Sequence, residues 1–348
     1  MKIPQYIYIT ENKKETKEAF ECIFQSEQPE KLLIVTSGAS ARKLKWLFGF
    51  LLSNRIKAEK LLIERSDKRA LEKTLEKIKK GSFDFCIGIG GGKILDIAKY
   101  ASYVEKIKFV SFPTLLSHDG IASPVAVIRD GKHWSESRTA ESPFAVIIDL
   151  KTVGDAATAS LLSGIGDLVA NLFASMDAEV YKKKNKEEYN ALATGIAHSA
   201  SLLVFPDFSK ISINKISKNE LRHLAWGLIL SGIAMSIAGN SKPASGAEHK
   251  ISHAIDYLFS PSVSHGFTVS IGNVISAFLH QKFRQEIVEF NLSLGLPVLC
   301  EDIGIKKEKF VDAVLYAGKI RPDRYTILEE KKLTKKGVLK LLDKIEET

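Results

Sequence analysis

The sequence predicts two domains of different texture: a Rossmann-like α/β domain with a mostly parallel sheet over residues 1–152, and an all-α domain over residues 153–348. Two observations carry this reading. Short β-branched or apolar runs alternate with helical stretches through the first 150 residues, the order that builds a parallel sheet covered by helices. From about Asp155 onward, long periodic segments rich in Ala, Leu, Ser and Lys follow one another with few β-branched alternations, which is helical patterning.

In order, strands are expected at 7–9, 32–36, 58–63, 83–89, 109–112 and 145–148, and helices near 13–25, 39–53, 67–80 and 93–103. The stretch 123–134, with Arg129-Asp130-Gly131-Lys132 at its centre, reads as a hairpin inserted before the last strand. The boundary falls near 150–155, where Gly154 interrupts the pattern.

The bulk numbers narrow the class of function. With 348 residues, 45% hydrophobic and 26% charged, the chain can bury full cores. The N-terminus carries charges and no apolar core of a signal peptide, so a cytoplasmic protein is expected. The longest apolar stretch, 224–239, is shorter than the roughly 20 residues a membrane span needs. Cys22, Cys86 and Cys300 are scattered without CxxC pairing, as suits a reducing compartment. The net charge of +9 is spread along helices with acids interleaved, so no nucleic-acid partner is expected. A positive field of this kind attracts a small anionic substrate.

The most informative local sequence is Phe83-Asp-Phe-Cys-Ile-Gly-Ile-Gly-Gly-Gly-Lys-Ile-Leu-Asp96, a buried strand running into glycines and then a helix. Glycine lets the backbone approach a bulky anion, and the free N–H groups and dipole of a helix start favour phosphate. The P-loop spacing fails, because Ile87 and Ile94 stand where Gly and Ser/Thr are needed. The GxGxxG fingerprint fails at Lys93. A purely structural tight turn is the alternative. A second loop, 111–120, is crowded with small polar groups. Thr114 and Ser117 can bond a cofactor there and Asp119 can meet substrate hydroxyls, although ordinary turn chemistry explains such residues too.

The helical half holds Gly164-Ile-Gly-Asp167, Ser245-Gly-Ala-Glu-His249-Lys-Ile-Ser-His253 and Ser264-His265-Gly266. A catalytic zinc takes three protein ligands, imidazole or carboxylate, and keeps a fourth position open. Asp167, His249 and His265 supply that set if their helices converge. Asp167 lies in an otherwise apolar stretch, where an unpaired carboxylate is costly and a cation removes the cost. His249 and His253 share one helix face, but the HExxH protease arrangement is absent. Any one of these histidines taken alone reads equally as a satisfied core residue.

These five elements (88–96, 111–124, 163–171, 245–256 and 264–266) occur in the order found in the metal-dependent alcohol dehydrogenases that include glycerol dehydrogenase and share the dehydroquinate synthase-like fold. Across essentially the whole chain their wording resembles the glycerol-1-phosphate dehydrogenase branch of archaea. That resemblance implies reduction of dihydroxyacetone phosphate to sn-glycerol 1-phosphate with NADP(H) or NAD(H) and Zn²⁺, for the backbone of archaeal membrane lipids. It implies that Gly90, Gly91, Gly92, Lys93 and Ile94 cradle the pyrophosphate, and that Thr114, Leu115, Leu116, Ser117 and Ser123 line the rest of the cofactor site. Asp119 and His253 would act on substrate, with Asp167 touching it too, and Asp167, His249 and His265 would hold the metal. Asn171 stands where iron-dependent members place a fourth ligand, which favours zinc. The segment 36–43 lacks the acid that binds a ribose 2′-hydroxyl in NAD-specific relatives and carries Ser40, Arg42 and Lys43, so NADPH should be accepted at least as well as NADH. Lys250 and Arg138 are the candidates for the substrate phosphate. A polyol dehydrogenase using the same site is the rival activity, a nucleotide- or RNA-binding protein the rival class, and self-association is left open.

Overall fold

The computed structural model describes residues 2–53, 56–129, 135–185, 189–210, 213 and 216–348. Two compact units divide the chain, Met1–Ala157 and Thr158–Thr348.

The first unit is built on six parallel strands: β1 (Tyr6–Thr10), β2 (Lys31–Thr36), β3 (Lys57–Leu62), β4 (Phe85–Gly90), β5 (Lys108–Pro113) and, after an inserted ribbon, β8 (Ala145–Asp149). Their order across the sheet is β1-β8-β5-β4-β2-β3. Helices α1 (Lys13–Glu27), α2 (Gly38–Lys43), α3 (Lys45–Ser53), α4 (Lys68–Gly81) and α5 (Gly92–Glu105) make the crossovers. Strands β4 and β8 are buried throughout, which is why they read as continuous apolar runs rather than alternations. One core face gathers Phe20, Ile23 and Phe24 of α1 with Leu47 and Leu51 of α3 against Leu32, Ile34, Phe85, Ile87 and Phe112 of the sheet.

Caps set the helix ends. Asn12 accepts from the backbone of Lys14 and Glu15 at the start of α1, and Asp67 accepts from Ala70 at the start of α4. The single helix expected over 39–53 is two, because the backbone of Leu44 leaves helical geometry between α2 and α3. The inserted hairpin is present as the antiparallel pair β6 (Val125–Arg129) and β7 (Ser135–Thr139), while its expected tip, 130–134, lies outside the described residues. Helix α6 (Leu150–Gly154) closes the unit, capped by Asp149.

The second unit holds α7 (Thr158–Asn185), α8 (Ala191–Ser201), α9 (Lys218–Ala238), α10 (Ala247–Phe259), α11 (His265–His280), α12 (Arg284–Leu294), α13 (Lys307–Ala317), α14 (Ile327–Lys331) and α15 (Lys335–Glu346), with no strand among the described residues. By length and composition α7 and α9 are apolar enough to cross a membrane, and most of each is buried inside the protein. Helix α9 begins before the apolar run 224–239, with a mostly polar first turn capped by Ser217. Helices α7 and α11 approach to backbone contact. A Cβ on Gly266 would lie 1.8 Å from the carbonyl oxygen of Ser163, and one on Gly166 would lie 2.4 Å from the carbonyl of Gly266. Only residues without side chains let these two helices meet so closely.

Candidate active site

In the first unit, the order in which successive strands are added reverses between β2 and β4 while all strands stay parallel, so the crevice at their carboxyl ends is the natural ligand position of such a sheet. The two strand ends are tied together: the Thr36 hydroxyl donates to the carbonyl of Ile89 at 2.8 Å. The glycine run Gly90–Gly92 emerges there, and α5 begins with Gly91 as its N-cap and no side chain capping it. The second loop packs directly on the first, with Thr114 N donating to Gly90 O at 2.9 Å. Gly92 serves this packing: a Cβ there would lie 2.1 Å from His118 Nε2. Lys93 is exposed, while Ile94, Thr114 and Ser123 are buried. Leu116 is wholly buried, main chain included.

Asp119 opens a short 3-10 turn in which its carbonyl accepts from Ala122 N and Ser123 N, and His118 Nδ1 accepts from Gly120 N at 3.0 Å. A side chain that sequence reading missed holds this turn. Lys99, buried in the third turn of α5, donates to Gly120 O at 2.7 Å and to Val125 O at 2.6 Å. Burial pulls its pKa down, opposed by Asp96 and Asp119. The 36–43 segment has a neighbour that sequence distance concealed: Glu64 Oε1, just beyond β3, accepts from Gly38 N at 2.7 Å. Lys43 is occupied elsewhere, donating to the carbonyls of Thr152 and Asp155.

In the second unit, Asp167 of α7, His249 of α10 and His265 at the start of α11 each offer a ligand atom, all within 4.8 Å of one another. Asp167 Oδ1 is 3.4 Å from His249 Nε2 and 3.7 Å from His265 Nε2. Donors about 2.0–2.1 Å from a tetrahedral zinc lie roughly 3.4 Å apart, so the two distances from Asp167 are close to what that ion requires. The carboxylate and His249 are buried and His265 is a third exposed, which leaves access on one side.

Each imidazole is held from behind. Glu248, fully buried, accepts at Oε1 from His249 Nδ1 (3.0 Å) and from Gly246 N, which turns His249 Nε2 toward Asp167. Glu248 was not singled out in the sequence, although it adjoins a ligand histidine. Ser252 Oγ lies 3.4 Å from His265 Nδ1 and 2.6 Å from Thr268 Oγ1. Burial by itself would lower the His249 pKa, but hydrogen bonds to Asp167 and Glu248 outweigh it and push it up to about 9. His253 stacks on His265 (5.7 Å between centroids) and lies 6.1 Å from His249. Burial first, then the charges of Arg321, His265, His249 and Arg324, hold it neutral, well below the usual histidine range.

Asn171, the position of a fourth ligand in iron-dependent members, is buried, with Ser231 Oγ donating to its Oδ1 at 3.4 Å. Both candidates for the substrate phosphate have partners of their own. Lys250 is buried and donates to Glu329 Oε1 (2.7 Å) and Arg324 O (2.9 Å), an internal strut between α10 and α14. Arg138 pairs with Glu136 and lies over the ring of Tyr100. His280 pairs with Asp177 at 3.0 Å. His133 lies outside the described residues.

This fold is that of the metal-dependent alcohol dehydrogenases. The family profile "Iron-containing alcohol dehydrogenase" matches residues 13–157. Glycerol dehydrogenase of Schizosaccharomyces pombe superposes on the whole chain (TM-score 0.82, 16% identity, 100% of this chain and 90% of that one), as does a probable glycerol dehydrogenase of Sinorhizobium meliloti (TM-score 0.78, 20% identity, 99% and 97%). Within that class the chain belongs to the glycerol-1-phosphate dehydrogenase (NAD(P)+) family. It is 39% identical over 270 residues to the Pyrococcus abyssi enzyme of that name, covering 78% of this chain and 77% of that one. To the Methanosarcina barkeri enzyme it is 35% identical over 297 residues, 85% and 83% of the two chains.

Proposed function

We propose that this chain catalyses the reversible reduction of dihydroxyacetone phosphate to sn-glycerol 1-phosphate by NADPH or NADH, supplying the glycerophosphate backbone of archaeal membrane phospholipids. The observation that carries the proposal is the convergence of Asp167, His249 and His265, three donors at zinc-ligand spacing in a chain of this family.

Asp167, His249 and His265 would hold Zn²⁺, which when bound supplies a Lewis acid for the ketone oxygen. The α5 N-terminus and the Gly90–Lys93 backbone would take the pyrophosphate of the nicotinamide cofactor, the hydride donor. Glu248, by accepting from His249 Nδ1, would leave Nε2 to serve as the ligand atom when the metal is bound. His253, kept neutral by burial and surrounding positive charge, relays a proton by accepting at one ring nitrogen while donating from the other. Asp119, set in its turn by Lys99, would contact the substrate hydroxyl.

The test is a spectrophotometric assay of dihydroxyacetone phosphate reduction before and after chelation, with zinc add-back and glycerol oxidation as comparison. Loss on chelation with recovery on zinc supports the reading. Activity indifferent to chelation, or a preference for glycerol over glycerol 1-phosphate, overturns it.

A further inference from the structure

The substrate proposed above carries a phosphate dianion, and the two sequence candidates for it are engaged elsewhere. The loop between α13 and α14 offers another. Arg321 Nη1 donates to Ser241 Oγ (3.2 Å) and Ser245 Oγ (3.4 Å). Arg324 Nη2 donates to the same Ser241 Oγ (3.0 Å), and its Nη1 donates to Ser245 O. Two largely buried guanidinium groups therefore converge on one pair of serines, of which Ser245 lies three residues before Glu248.

We propose that Arg321, backed by Arg324, binds the phosphate of the substrate. The proposal deepens the functional reading above and rests on it.

Four observations support this. First, like charges side by side in a poorly solvated place repel, and a dianion between or before them relieves both. Burial pulls both arginines below their ordinary pKa, and Arg321 adds to the effect on Arg324. Second, Arg324 is 7% exposed and its buried Nε has no hydrogen-bond partner, an unmet donor in a group that rarely tolerates one. Third, Arg321 holds a left-handed backbone (φ +49°) immediately before Pro322, where extended backbone is preferred. Such a conformation is kept where a side chain must be aimed. Fourth, both arginines reach Ser245, which lies four residues before the ligand His249, at the entry to α10.

The nearby acids have other duties. Glu248 holds His249, and Asp177 accepts from Ala247 N and Ile327 N and pairs with His280. Asp323 is exposed and offsets both arginines in part. Planar guanidinium suits bidentate phosphate recognition better than an ammonium group does.

The experiment uses the zinc-loaded full chain as wild type, Arg321→Met and Arg321→Lys. It measures kcat/KM for dihydroxyacetone phosphate and for dihydroxyacetone, the inhibition constant of inorganic phosphate, and phosphate binding by calorimetry. Zinc content and circular dichroism check integrity. Arg321→Met should lose roughly 100-fold in kcat/KM for the phosphorylated ketone, the size of a lost charged hydrogen bond, and raise the phosphate inhibition constant by at least about tenfold. Arg321→Lys should recover part of both. If Arg321→Met does not fold, Arg321→Lys alone should still lose about tenfold in each, since a point charge cannot replace the fork. Phosphate inhibition and binding unchanged in the folded variants overturn the proposal. A wild type that uses dihydroxyacetone as well as its phosphate sinks the substrate reading instead, and calorimetry with inorganic phosphate then decides on Arg321 separately.

Discussion

Glu248 and His249 are neighbours in sequence and partners in space: the carboxylate accepts from His249 Nδ1 at 3.0 Å while the opposite ring nitrogen lies 3.4 Å from Asp167. Adjacent residues on a helix point about 100° apart, so this pairing depends on Glu248 folding back over the first turn of α10, where it also takes the N–H of Gly246. Outer carboxylates of this kind set ligand orientation, and their loss typically costs 10–100-fold in metal affinity. Glu248→Gln should therefore weaken zinc binding by about tenfold while keeping secondary structure, as read by competition with a chelator of known affinity. Unchanged zinc affinity would refute the orienting role.

Removing a ligand is a harsher change. Asp167→Ala and His265→Ala should purify with little zinc and lose at least about 1,000-fold in activity, the scale on which removal of a metal's charge stabilisation acts. Metal analysis alongside circular dichroism checks both halves of this expectation. Stoichiometric zinc in Asp167→Ala would place the metal elsewhere.

The contact of α7 with α11 rests on glycine. Gly266→Ala puts a methyl within 1.8 Å of the Ser163 carbonyl, a backbone atom that cannot step aside. The helices must separate, at a cost of about 2–3 kcal/mol, and His265 moves with α11. Thermal melting should fall clearly and zinc affinity with it. Gly195→Ala is the control: it lies exposed within α8 with nothing within 4 Å, so the same substitution should stabilise by roughly 0.5–1 kcal/mol. Equal effects of the two would sink the argument.

Glu64 brings to Gly38 the acid that the 36–43 segment lacks. An exposed carboxylate there disfavours a 2′-phosphate and favours a ribose hydroxyl by a modest, solvent-screened amount. Glu64→Gln should raise the NADPH-to-NADH ratio of kcat/KM about threefold to fivefold, with a matching change in cofactor binding followed by fluorescence. A ratio that falls instead would mean the carboxylate does not face the ribose.

Lys99 ties α5 to the turn of Asp119 through two carbonyls, with Asp96 Oδ1 3.5 Å away. Lys99→Met strands a buried carboxylate and two acceptors, so unfolding should be easier by about 3 kcal/mol in urea titration. Stability equal to wild type would show that the lysine is not the anchor of the turn.

The sequence by itself determined the two textures, the parallel α/β order, the glycine-rich strand-to-helix loop and the identity of the converging histidines and aspartate. These are legible because period, turn chemistry and residue type are local properties, and because five short elements in order define a family. Only the tertiary structure decided that Glu64 stands beside Gly38, that Lys99 carries the Asp119 turn, that Glu248 orients His249, and that Lys250 is a strut while Arg321 and Arg324 share two serines. Each of these depends on where a long, flexible side chain finds a partner after distant helices and strands have packed. Nothing in local pattern encodes that choice, because the partner is selected by burial, which removes the water that would otherwise satisfy the same group.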